Sequence, residues 1–211
     1  MRTKLSIFVV LLSVALILTV WVSTTTAQEI KNLLNNPDFD KDMNIITDWT
    51  IGAGGTLSID KKEKFPVGNV EKAQIDQVGP DAWVPEIHSN KFDVKLGPMY
   101  TCSFWAKADA DVRPIGVTFE QDVTWTGPGT TFNLNMEMTE YTFSPIMTVG
   151  SPPQVVIHIQ FNMIKGSVWF AHFRVYEGKY VKDNVDLGQK PKAVVTPGEK
   201  LASSWGEIKT R

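Results

Sequence analysis

Short stretches of strictly alternating apolar and polar residues are the feature that most constrains what this chain can fold into. In the segment 100–108, Tyr100, Cys102, Phe104 and Ala106 fall on one side, and polar or bulkier residues fall between them. Side chains of a β-strand point alternately to two faces, whereas helical spacing would mix the two sets. The segment therefore predicts a strand with one face in a core.

Five more segments have the same character and are rich in β-branched and aromatic residues. They are residues 69–77, 113–122, 140–147, 154–162 and 167–176. Clusters of glycine and proline separate the segments, as turns between strands require. Because no convincing amphipathic helix accompanies them, the sequence predicts an all-β fold, a β-sandwich of two sheets.

The first 27 residues differ from the rest. Arg2 and Lys4 precede an apolar run over 5–22, and the small residues Thr25-Thr26-Ala27 follow. This order is typical of a secretory signal peptide cut after residue 27. The run is near the length that spans a bilayer, so an uncleaved N-terminal anchor is the alternative. We expect a protein that is secreted, periplasmic or displayed at the cell surface.

The charge balance restricts the partners. The chain has 21 basic and 23 acidic residues, and 19 and 23 once Arg2 and Lys4 are left out, a net charge of −4. No basic surplus is available for a phosphate backbone, so we expect no nucleic-acid partner. A single cysteine excludes an internal disulfide framework, and three scattered histidines argue against a histidine-based metal site.

The region 179–211 carries prolines and scattered charges but few apolar residues, of which only Leu201 and Trp205 could anchor it. This composition predicts a poorly packed C-terminal tail after a domain at 28–178. The alternative is a short docking segment for a partner.

Familiar catalytic motifs for hydrolases, nucleotide-binding enzymes and zinc proteases do not occur in the sequence. Glu120 and Asp122 would share one face of a strand, about 7 Å apart, a spacing that a glycosidase could use. Two carboxylates near a strand end more often form a solvated edge. We therefore expect a protein that is not an enzyme, with a small glycoside hydrolase as the minor alternative.

Two of the seven tryptophans stand in turn-rich segments. Trp83 lies in a Gly-Pro-Asp-Ala-Trp-Val-Pro stretch and Trp125 in Thr-Trp-Thr-Gly-Pro-Gly, whereas Trp49, Trp105 and Trp169 lie in strand-like segments suited to a core. An exposed indole offers a flat apolar face to a sugar ring. These two residues favour carbohydrate binding. The alternative for each is that its indole packs against the core and holds the loop in place.

Polar residues also share faces on two predicted strands. His158 and Gln160 lie on the same face of 154–162, and Glu120 lies on the polar face of 113–122. If the two strands belong to one sheet, that face would form a polar groove with aromatic ends.

Several blocks occur in the order and spacing of a known family. They are residues 32–40 with 49–51, 78–88, 100–107 and 166–170. Together they resemble carbohydrate-binding modules of families 4, 9, 16 and 22, over about residues 30–178. The resemblance implies a galactose-binding-domain-like jelly-roll β-sandwich of two antiparallel sheets. It also implies a non-catalytic protein that binds a polysaccharide or oligosaccharide.

The resemblance also implies roles for particular residues. Trp83 matches the stacking aromatic of the family, and the sugar-binding set is Trp83, Glu86, His88, Gln121, Trp125, His158 and Gln160. Such modules often hold a structural calcium ion, for which Asp38 and Asp40 are weak candidates here. Ala171 and His172 stand where the family has aspartates, which makes calcium doubtful.

Modules of this family usually accompany a glycoside hydrolase, and this chain is too short to contain one. The resemblance therefore implies either a free-standing binding protein or a separate hydrolase or cell-surface partner reached through the tail. The alternative is a surface or matrix structural module that binds a protein partner.

Overall fold

The structure is a computed structural model that describes residues 30–41, 48–185 and 187. The predicted signal segment 1–27 and most of the tail, including Leu201 and Trp205, lie outside these residues. The chain separates into the units Met1–Lys31 and Asn32–Arg211, and the fold below belongs to the second. In the described part of that unit the secondary structure is strand only. None of the described residues forms a helix long and apolar enough to cross a membrane.

Ten strands form two antiparallel sheets of five strands each. The strands are β1 Trp49–Ile51, β2 Gly55–Ile59, β3 Glu71–Ile75, β4 Glu86–Ser89, β5 Tyr100–Ala108, β6 Arg113–Gln121, β7 Gly129–Leu134, β8 Thr139–Phe143, β9 Val155–Gln160 and β10 Gly166–Glu177. The first sheet has the order β1-β4-β9-β6-β7 and the second the order β2-β3-β10-β5-β8. The predicted all-β jelly-roll sandwich is confirmed.

Aromatic side chains fill the space between the two sheets. Phe104 of β5 and Phe173 of β10 stack with ring centroids 5.0 Å apart, and Trp49 packs 4.7 Å from Phe173. A bulge in β10, at which His172 has a φ of 49°, shifts the alternation so that Phe170 and Phe173 both face the core. Local bulges of this kind re-aim side chains without ending a strand.

Side chains also pack on the outer face of the second sheet, away from the space between the sheets. Trp105 and Trp169 lie there and are only partly buried, in a cluster with Phe65 and with Val185 and Leu187 of the predicted tail. The beginning of the predicted tail thus lies against this sheet.

Candidate functional site

The outer face of the first sheet brings the predicted polar residues together. Strand β9 pairs with β4 on one side and with β6 on the other, so the two predicted strands 113–122 and 154–162 do share a sheet. In this register Glu86 lies opposite Gln160, and His88 lies opposite His158. Since residues two apart on a strand share a face, all four side chains lie on one side of the sheet.

A groove of about 560 Å³ runs over this face. Its lining residues are Trp83, Glu86, Glu120, Trp125 and Gln160. The indoles of Trp83 and Trp125 are 53% and 60% exposed, so both are available to a ligand. Because β4 and β6 run in the same direction, the loop before β4 and the loop after β6 approach the groove from opposite ends of the strands.

Trp83 is held on a tight turn. The backbone N–H of Val84 donates to the carbonyl of Asp81 at 3.1 Å, and the N–H of Gly79 donates to the carbonyl of Val84 at 2.9 Å. A Cβ at residue 79 would lie 2.7 Å from a methyl group of Val84, so any larger residue there would force Val84 to shift. The turn thus projects Trp83 from a fixed base.

Trp125 stands on a strained loop between β6 and β7. Val123 and Trp125 have φ values of 96° and 54°, in the left-handed region that β-branched and bulky residues rarely adopt. At Gly127, a Cβ would lie 1.7 Å from the carbonyl oxygen of Phe119, which requires glycine. Strained backbone persists where the surroundings fix it, often at ligand sites. The loop therefore presents Trp125 in a set position.

Charged and imidazole groups meet at the centre of the face. Glu86 contacts His88 through Oε1 at 2.8 Å and approaches His158 Nδ1 through Oε2 at 3.3 Å. Glu120 Oε2 lies 3.1 Å from the same Nδ1, and the rings of His88 and His158 stack with centroids 4.0 Å apart. Burial alone would raise the pKa of Glu86, but the two imidazoles outweigh it and lower that pKa to about 2. Glu86 is therefore an ionised acceptor.

Four of the seven predicted sugar-binding residues line the groove, namely Trp83, Glu86, Trp125 and Gln160. His88 and His158 lie on the same sheet face but are not among the lining residues. Gln121 lies apart from the groove, because its side chain is buried on the core side of β6 and donates to the carbonyl of Gly150 at 2.7 Å. Glu120, predicted only as one of a catalytic pair, lines the groove instead. Its predicted companion Asp122 forms an ion pair with Lys91. The alternation that puts Glu120 and Gly116 on the polar face of β6 could have predicted that Glu120 lines the groove.

The donor set for the calcium ion that the resemblance implies does not fit that ion. The Asp38 carboxylate contacts Nδ1 of His172, whereas Asp40 is exposed. Ala171 supplies no side-chain oxygen, and Ca²⁺ takes six to eight oxygen ligands. One oxygen of the Asp38 carboxylate is thus already engaged by an imidazole.

The sequence matches no protein-family model and no curated protein. Several solved structures share the fold. A CBM4 structure has a TM-score of 0.51 and 23% identity, over 69% of this chain and 99% of the other. The second N-terminal cellulose-binding domain of Cellulomonas fimi β-1,4-glucanase C has a TM-score of 0.52 and 12% identity, over 73% and 99%.

An arabinose-bound MgGH51 α-L-arabinofuranosidase has a TM-score of 0.59 and 10% identity, over 71% of this chain. The chain spans only 27% of the length of that enzyme. At these identities the likeness concerns the fold. The resemblance to jelly-roll carbohydrate-binding modules is confirmed at that level.

Proposed function

We propose that this chain is an exported, non-catalytic protein that holds a polysaccharide or oligosaccharide in the groove. The observation that carries the proposal is the pair of exposed indoles, Trp83 and Trp125, beside carboxylates and an amide on one sheet face. Solved structures with this fold include a cellulose-binding domain, which supports the proposal. The export part rests on residues 1–27, and a partner reached through the tail stays a prediction.

The lining groups suit a neutral sugar chain. Indole faces pack against the C–H side of sugar rings. Glu86 and Glu120 can accept hydrogen bonds from sugar hydroxyl groups, and the Gln160 amide can both donate and accept them. Two carboxylates at the groove would repel a polymer of sulfate or phosphate groups. The proposed ligand is therefore an uncharged glycan.

Affinity electrophoresis through gels that contain soluble xylan, β-glucan or related polymers tests this function. We expect at least one polymer to retard the chain, and Trp83→Ala and Trp125→Ala each to weaken binding about tenfold or more. Val112→Ala is the matched control, since Val112 is 67% exposed and is absent from the groove lining. Retardation by none of the polymers, or by all variants alike, would overturn the proposal.

A second candidate function is glycoside hydrolysis, because the carboxylates of Glu86 and Glu120 approach the same nitrogen of His158. A glycosidase needs one carboxyl group with a raised pKa as its acid. The lowered pKa of Glu86 does not suit that part. Release of reducing sugar from the retarding polymer, abolished in Glu120→Gln, would establish hydrolysis, and no release would support binding alone.

A further inference from the structure

Two of the three histidines of the chain meet on the sheet face that carries the groove. His88 and His158 lie directly opposite each other on β4 and β9, and their rings are within 20° of parallel. Glu86 shares the strand and face of His88. One ligand atom from each of Glu86, His88 and His158 lies within 4.8 Å of the other two.

The burial of His158 adds an independent observation. Its side chain is 2% exposed, and among the described residues neither ring nitrogen has a hydrogen-bond partner. The carboxylates of Glu86 and Glu120 lie 3.3 and 3.1 Å from Nδ1 as ion-pair neighbours without forming a hydrogen bond to it, and among the described residues Oε2 of Glu86 likewise has no hydrogen bond. Buried polar groups nearly always have partners. The two ring nitrogens of His158 and Oε2 of Glu86 lack hydrogen bonds, which indicates that they bind a ligand.

We propose that Glu86, His88 and His158 bind a divalent first-row transition metal ion of the Zn²⁺ class. Two imidazoles with one carboxylate are a ligand set typical of Zn²⁺ and Fe²⁺, whereas Ca²⁺ and Mg²⁺ prefer oxygen ligands alone. Glu120 stands close enough to His158 to add a second carboxylate. This inference does not depend on the proposed glycan binding.

The site needs a small movement to close on an ion. Ligand atoms at 2.0–2.1 Å from a tetrahedral Zn²⁺ lie roughly 3.4 Å apart. The ligand atoms of Glu86, His88 and His158 lie within 4.8 Å of one another, so they must approach more closely. Stacked rings direct their nitrogens side by side, so one ring must turn to converge on the ion. His88 can do so because its side chain is 36% exposed, whereas His158 is fixed by burial.

The test is calorimetric titration of Zn²⁺ into the full chain, expressed without a polyhistidine tag and stripped of metal by a chelator. We expect one Zn²⁺ per chain, with affinity reduced about 100-fold or more by His88→Ala and by Glu86→Gln. His172→Ala is the matched control, since it removes the remaining histidine and should leave the affinity unchanged. Circular dichroism checks that each variant is folded.

Failure to bind Zn²⁺ in a near-stoichiometric ratio would overturn the proposal, as would binding that survives His88→Ala and Glu86→Gln. Loss of binding in His172→Ala would place the ion elsewhere and would also overturn it. Trp83→Ala separates the two proposals, since it should lose glycan affinity and keep Zn²⁺ affinity. A chain that is retarded by a polymer but takes no Zn²⁺ would overturn this inference alone.

Discussion

The side-chain oxygen of Gln121 accepts a hydrogen bond from the Thr124 hydroxyl at 2.8 Å. The Gln121 amide donates to the carbonyls of Gly150 and Pro153, at 2.7 and 3.3 Å, and its backbone carbonyl accepts from the N–H of Trp125 at 3.0 Å. One buried side chain thus ties the loop that carries Trp125 to a neighbouring loop. Gln121 serves the groove by positioning and not by contact.

Replacement of Gln121 by alanine should therefore loosen the Trp125 loop. We expect Gln121→Ala to lower the free energy of unfolding by about 1–2 kcal/mol, because it leaves the partly buried carbonyls of Gly150 and Pro153 without these hydrogen bonds. Amide hydrogen exchange over 122–127 should accelerate, and affinity for a retarding glycan should fall. Thr124→Val, which removes the hydroxyl contacts to Gln121 and Thr126 but keeps the Gln121 amide bonds, should show smaller changes in the same direction. Unchanged exchange in Gln121→Ala would contradict this role.

His172 joins two distant parts of the chain through its two ring nitrogens. Nδ1 contacts the Asp38 carboxylate and Nε2 lies 3.1 Å from Asp183 Oδ2. Burial lowers the pKa of His172, but the hydrogen bond to Asp38 and the charges of Asp38 and Asp183 outweigh burial and the opposing charge of Arg174. The pKa is therefore raised above 6.5.

A raised histidine pKa makes this contact pH-dependent in a definite direction. The stabilisation is complete below the unfolded pKa of about 6.5 and is lost as the pH rises through the folded value. We expect His172→Gln to lower the free energy of unfolding by about 2 kcal/mol at pH 5.5 and by clearly less at pH 9. Urea denaturation at both pH values measures this difference.

Asp183→Asn provides the matching test from the other side of the contact, and its destabilisation should also shrink as the pH rises. A gap between wild type and His172→Gln that stays constant or widens from pH 5.5 to 9 would contradict the assignment.

Much of the fold could be predicted because strand alternation is local. The bounds of β5 were predicted to the residue, and those of β6 and β9 within one or two residues. The predicted strand segments omitted β1, β2, β4 and β7. Of these, β4 is only four residues long with Ile87 as its one large apolar residue, and β7 begins Gly-Thr-Thr. Their strand character comes from pairing with β9 and β6, which a single segment does not reveal.

The site was predictable only in part. Turn-rich surroundings indicated exposed positions for Trp83 and Trp125, and the structure has both exposed. Strand alternation puts Gln121 on the same face as Phe119, which faces the core. The sequence could therefore have predicted that Gln121 does not line the groove. The stacking of His88 on His158 could not, because it depends on the register between strands far apart in sequence.

Glu71 is a buried carboxyl group outside the groove. It lies on β3 and is 1% exposed, and its Oε1 has no hydrogen-bond partner among the described residues. Burial raises the pKa of Glu71 to about 8. An unfolded chain would release this proton above about pH 4.5, whereas the folded chain keeps it until about pH 8. Rising pH between these values therefore disfavours folding.

Glu71→Gln removes the ionisation and keeps the shape of the side chain. We expect the variant to be more stable than wild type at pH 7, by up to about 3 kcal/mol, since each pKa unit corresponds to about 1.4 kcal/mol. The gap should shrink as the pH falls to 4.5, because both side chains are then neutral. Chemical denaturation from pH 4.5 to 8 measures it, with Glu63→Gln as a control at a partly exposed carboxylate paired with Lys107. A gap independent of pH would show that folding does not raise the pKa of Glu71, and a variant less stable at pH 7 would show that the Glu71 carboxyl group stabilises the fold. Either result would contradict the prediction.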